Sequence, residues 1–209
     1  MLRQWLKLTT GLPGSPAQKT RHGERLLARY GARGRHYHNA AHVKAMLRLC
    51  QRYEKEIAQP DLVRFAIWFH DAVYVSRRND NEERSAEYGD VILAALQAPH
   101  RHEVGQLILA TKRHHLDALP RSLQADGAWF LDFDLAILAS APSAYQRYST
   151  AIRREYAWVS PAAYQRGRSQ VLTGFLARPR LYFTAPLQEQ WEGRARRNLT
   201  NELGQLAAG

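Results

Sequence analysis

From Leu62 to Val75 the chain is apolar nearly all round, with Val63, Phe65, Ala66, Ile67, Trp68, Phe69, Ala72 and Val73 leaving no polar stripe. The run is too long for an ordinary strand and reads as a helix buried on most sides, which other helices must enclose. His70 and Asp71 lie inside it. An ionised carboxylate in apolar surroundings is expensive to bury unless a partner or a cation compensates it. The fold must therefore bring one to Asp71.

The rest of the sequence supplies the enclosing helices. Val43, Met46, Leu47 and Cys50 follow the i, i+3, i+4, i+7 rule, with Asn39 placed as N-cap. Glu82 to Gln97 forms a helix ending before Pro99. Val104, Leu107, Ile108 and Thr111 mark another, whose face continues to His115 with His114 beside it. Trp129–Ser140 follows, then Tyr145, Tyr148, Ile152 and Tyr156 at helical spacing. Ser160-Pro161 carries an N-cap serine before proline at the first helical position, and a last helix runs from about Pro186 to Leu203. The set Tyr145, Tyr148, Tyr156 and Trp158 reads as packing. No alternating pattern of strand length occurs, so the expected fold is an all-α, single-domain helical bundle, with an N-terminal segment (1–30) packed on a domain of residues 31–209.

A chain of 209 residues can enclose one sizeable core. Cys50, the single cysteine, cannot form an internal disulfide and reads as a buried thiol; it also excludes a Cys-rich zinc site, and no GxSxG motif appears. No apolar run is long enough to span a bilayer, and the broken apolar stretch near Met1 does not suit a secretory signal, so a cytoplasmic location and no membrane partner are expected. Thirty Lys and Arg against nineteen Asp and Glu give a formal charge of +11, which attracts phosphorylated or other anionic ligands. The basic residues are spread along the chain, which favours a solvated surface over a dedicated nucleic-acid face; nucleic acid is a possible but not favoured partner.

A divalent cation would compensate Asp71, because neutral imidazole nitrogens and carboxylate oxygens are its ordinary ligands. Adjacent helical residues point about 100° apart, so His70 and Asp71 can share one ion only if other elements complete the shell. His42 and Asp134 are the natural contributors, with Asp132 as the alternative to Asp134.

The order H…HD…D, in the contexts RHYHNAAHV, IWFHDAVY and FLDFDLAIL, resembles the HD superfamily of metal-dependent phosphohydrolases. More narrowly, with NDNEERSAEY, ILATKRHH and REYAWVS in that order, the chain is similar to a bacterial branch of predicted HD phosphohydrolases. The resemblance covers about Gly31 to Leu199. It implies a mostly helical fold with His42, His70, Asp71 and the last aspartate as metal ligands, and Asp134 fits the aspartate-then-leucine context of that last ligand.

The expected activity is hydrolysis of a phosphate ester by a metal-activated water, with Mn, Mg, Fe, Co, Ni or Zn as the ion and a small phosphorylated molecule, such as a nucleotide, as substrate. The nucleotide comes from the resemblance alone. Asp71, Glu82 and His114 are the candidate catalytic residues. Glu82 or Glu83 could activate water, the alternative being carboxylates favoured at a helix start. His114 stands where many HD proteins place a further histidine. Lys112 and Arg113 are candidate clamps for a substrate phosphate. His38 and Arg35 are candidate substrate contacts, against a hydrogen bond to the chain turn and a solvated surface respectively. The rival functions are a metal-bound, nucleotide-sensing or RNA-binding HD-like module without turnover, and an oxygenase with paired iron ions.

Overall fold

Proline or capping residues open most of the helices, and residues 1–208 are described by the computed structural model. They form α1 (Leu2–Leu8), α2 (Pro16–Tyr30), α3 (Ala40–Arg52), α4 (Pro60–Phe69), α5 (Asn81–Ala95), α6 (Arg101–Ala110), α7 (Arg121–Asp134), α8 (Pro142–Glu155), α9 (Pro161–Leu176) and α10 (Ala185–Ala208). No strand occurs among the described residues, so the all-α expectation holds. The chain divides into two units, Met1–Phe130 and the remainder from Leu131.

In the first unit the N-terminal segment enters the core. Trp5 is fully buried and meets Phe65, Trp68 and Phe69 edge-on, at centroid distances of 6.3, 5.7 and 5.8 Å. Its indole N–H donates to the Lys19 carbonyl (2.8 Å), which ties α1 to α2 while satisfying the one polar atom of a buried ring. Gly23 makes this approach possible. A β-carbon there would lie 2.4 Å from the Trp5 ring and 2.7 Å from Leu2. Gly23→Ala is therefore expected to destabilise the protein by about 1–3 kcal/mol, despite alanine's better helix propensity; unchanged urea denaturation would show that α1 moves aside freely.

α4 packs against α3, α5 and α6. It ends at Phe69, not at Val75 as the apolar run predicts. Side chains from elsewhere take over the backbone groups that further turns would have paired. Arg35 donates to the carbonyls of Asp71 (2.6 Å) and Ala72 (3.0 Å), Ser85 bonds both the N–H and the carbonyl of Val73, and Asn81 does the same for Val75. Farther along, Asp126 on α7 accepts from the N–H groups of Ala58 and Gln59 just before α4 begins. α6 likewise stops at Ala110, short of the expected His115, because the Thr111 and Lys112 N–H groups turn back three residues and His114 adopts a left-handed backbone (φ +46°). Cys50 is buried, and burial pushes its thiol up to about 12.

In the second unit α10 packs with α8, α9 and the short 3₁₀ turn Leu135–Ala139. Asn198 donates to the carbonyls of Leu138 and Ser140. A buried ion pair links α9 to α10, with Arg168 donating twice to Glu202 (2.8 and 2.9 Å), and Tyr145 adds a third hydrogen bond to the same carboxylate. The aromatic set divides. Tyr145 is buried, but Trp158 is 47% exposed, because it lies in the α8–α9 connection where helical spacing no longer decides which way a ring faces.

Candidate metal centre

Three ligand atoms converge in the first unit. His42 comes from the first turn of α3, which Asn39 opens by accepting from the Ala41 N–H. His70 is the C-cap of α4 and Asp71 follows it. Both imidazoles are almost wholly buried. His42 Nε2 lies 3.2 Å from His70 Nε2, Asp71 Oδ2 lies 3.1 Å from His70 Nε2, and His42 Nε2 and Asp71 Oδ2 are 3.9 Å apart. Among the described residues, these are the ones whose His, Cys, Asp or Glu donor atoms gather closely enough to hold an ion.

The donor chemistry fits a cation. A carbonyl can only accept, so the 3.0 Å contact of His70 Nδ1 with the Ile67 carbonyl places the ring proton on Nδ1 and turns the Nε2 lone pair toward the cluster. For metal–ligand bonds of about 2.1 Å, neighbouring ligand atoms stand about 3.0 Å apart in an octahedron and about 3.4 Å apart in a tetrahedron. Two of the observed separations, 3.1 and 3.2 Å, fall between those values, and the third, 3.9 Å between His42 and Asp71, is wider than either. The cluster also sits at the carbonyl end of α4, where the helix dipole favours positive charge. Burial alone would raise the Asp71 carboxyl, but without an ion the positive charge of protonated His70, His38 and His42 facing it outweighs burial and holds the group well below the usual carboxylate range.

The surrounding residues divide between positioning and exposure. His38 is half-buried and stacks on Tyr74 at 4.0 Å, while Tyr37 lies against His42 at 4.9 Å. Arg35, expected at a substrate or on a solvated surface, gives its guanidinium to the carbonyls of His38, Asp71 and Ala72, and so braces the turn that carries the ligands. Asn81 and Ser85 brace the same turn from α5. Neither is singled out by the sequence, which shows only an Asn and a Ser four apart within NDNEERSAEY; that both are buried, and so need partners, is visible only in the structure.

Glu82 is half-buried in the first turn of α5 and lies outside the three-residue group. Lys112 is paired with Glu83, which holds that carboxyl below its ordinary value; Arg113 is exposed and His114 half-buried, both beyond the end of α6. In the second unit, Asp132 is fully buried and accepts from Phe183 N (2.7 Å), Thr184 N (2.8 Å) and Thr184 Oγ1 (2.7 Å), so its carboxylate is committed to the start of α10. Asp134 is half-buried at the C-terminal end of α7.

Comparison of the chain with family profiles, with curated proteins and with solved structures gives no match. No helix among the described residues is long and apolar enough to cross a membrane.

Proposed function

We propose that the protein is a metal-dependent phosphohydrolase of the HD type, hydrolysing the phosphate ester of a small molecule. The observation that supports this reading is the convergence of His42 Nε2, His70 Nε2 and Asp71 Oδ2 at the carbonyl end of α4. These three residues would hold a divalent cation, leaving coordination positions for water and a phosphoryl oxygen. When bound, such an ion polarises the phosphoryl group and lowers the pKa of water toward neutrality.

The remaining roles fall to side chains around that turn. Arg35, Asn81 and Ser85 keep the ligands in register through backbone carbonyls and N–H groups, which limits reorganisation when substrate binds. Glu82 is the candidate to take the proton of the attacking water, and His114 the candidate to return one to the alkoxide as the phosphorus–oxygen ester bond breaks. His38 and Arg113 are the candidate contacts to the substrate phosphate, and the basic balance of the chain draws anionic substrates in.

The test is metal analysis of the purified protein, paired with a screen of nucleotides and generic phosphate esters in Mn, Mg, Co or Ni. Wild type is compared with His70→Ala/Asp71→Ala. Bound metal and metal-dependent turnover, both lost in the double variant, are expected. Metal without turnover on any ester would replace the hydrolase with a binding module, and a metal-free wild type that cannot be loaded would remove the site.

A further inference from the structure

The second unit carries a surface that the metal centre does not use. From Leu131 onward the sequence has no lysine, and between Pro142 and Leu176 its only acid is Glu155, which is buried. Arg147, Arg154 and Arg166 are exposed on the same two helices, α8 and α9. The exposed charge of this pair is thus entirely guanidinium, which unlike ammonium offers a planar fork to phosphate and stacks on aromatic faces.

An open groove of about 570 Å³ runs between α8, α9 and α10. Its surface is more apolar than polar, through Pro161, Ala162, Leu206 and side-chain stems, and its polar groups are the amides and hydroxyls of Gln146, Ser149, Thr150 and Gln205, with Arg153 and Tyr164 beside them. Glu202 also lines it, but Arg168 neutralises that carboxylate. At one end of the groove stands an aromatic rim. Arg153 lies over the Tyr164 ring (4.7 Å) while donating to the carbonyls of Tyr156 and Val159, Tyr164 is 6.4 Å from Tyr156, and Tyr156 stacks with Trp158 at 6.4 Å and 29°. Trp158 ends this series half-exposed to solvent.

We propose that this groove and its rim bind a short segment of single-stranded nucleic acid, with a base stacked on Trp158 and phosphates on Arg147, Arg154 and Arg166. Stacking platforms beside a basic track are how single strands are held, because every base has a π-face and every linkage a charge. The amide lining suits exposed base edges, which donate and accept as amides do. A bilayer would leave those amides and hydroxyls without hydrogen-bond partners, and an acidic peptide would leave the aromatic rim without a purpose. The surface belongs to the second unit and does not depend on the metal-centre reading.

Fluorescence anisotropy of labelled 12-nucleotide RNA and DNA, single-stranded and duplex, tests the proposal with the full chain. Single strands are expected to bind more tightly than duplex. Trp158→Ala should weaken them about tenfold or more, this half-exposed ring being removable without disturbing the core. Arg154→Gln/Arg166→Gln should reduce the slope of log affinity against log salt by about 1.4, two phosphate contacts at about 0.7 each. The His70→Ala/Asp71→Ala protein should bind as wild type does. Unchanged binding by Trp158→Ala, preference for duplex, tighter binding to vesicles of anionic lipid than to oligonucleotide, or loss of binding in the metal-site variant would each overturn it.

Discussion

Asp71→Asn is expected to lower metal affinity at least about 100-fold while leaving the fold in place. The substitution preserves size and removes the only negative charge among the three converging donors, so that two neutral imidazoles and an amide would face the cation. Loss of partners that merely orient a ligand costs about 10–100-fold, and loss of a charged ligand exceeds that. Thermal denaturation gives a second readout. Metal at one hundred times its Kd stabilises the folded state by about 2.7 kcal/mol, so wild type should melt higher with added Mn than with chelator, and the variant should not. Without metal, the Asp71 carboxyl is held below its usual range, so its stabilising contribution is present above about pH 4 and is lost as pH falls through the folded-state value. The metal-free variant forfeits that contribution and should lie somewhat below wild type near neutrality. Equal metal affinity in the two proteins would exclude Asp71 as a ligand.

The second large effect concerns stability alone. Asp132→Ala is expected to destabilise the protein by about 3–5 kcal/mol, since it leaves two buried N–H groups and the Thr184 hydroxyl without their acceptor. Burial pushes the Asp132 carboxyl up to about 6 despite these hydrogen bonds, which act in the opposite direction. The folded state therefore binds this proton more tightly than the unfolded chain does. Between about pH 4 and pH 6 that makes stability fall as pH rises, the reverse of an ordinary paired carboxylate. Denaturant titrations of wild type and Asp132→Asn across this range isolate the contribution; parallel curves would show that the hydrogen bonds just offset desolvation, and a wild type gaining stability with pH relative to the variant that they outweigh it. Metal bound per chain should be the same in Asp132→Ala as in wild type at temperatures where both are folded, because the carboxylate already serves the approach to α10.

Several elements were legible because a local rule governs them. Asn39 and Ser160 cap α3 and α9 as their positions before helical runs predict, and Pro161 stands at the first helical position. The same signature at Ser15-Pro16, where the serine accepts from the Gln18 N–H, opens α2, yet the sequence pattern marks this stretch only as part of an N-terminal segment. Its buried face is Lys19, Gly23, Leu26 and Tyr30, and at two of those positions, a lysine and a glycine beside Trp5, there is no apolar side chain for periodicity to register. Helix ends were the weaker part. α4 stops at His70-Asp71, with apolar residues on both sides, because Arg35, Asn81 and Ser85 compete for its backbone, and the composition of the run itself holds no trace of that competition.

That His70 and Asp71 lie in apolar surroundings and need compensation follows from the primary structure alone, since the cost of burying an ionised carboxylate depends on the neighbours that adjacent residues guarantee. That the chain is helical follows from it too, because the 3.6-residue period is a local property. Helix packing alone brings His42 Nε2 to His70 Nε2 and Asp71 Oδ2, commits Asp132 to the Phe183–Thr184 backbone, and sets Arg35 to brace the ligand turn. Each of those pairings joins residues far apart in the chain, and which distant groups meet is set by how whole helices pack, not by the propensities of the residues that meet.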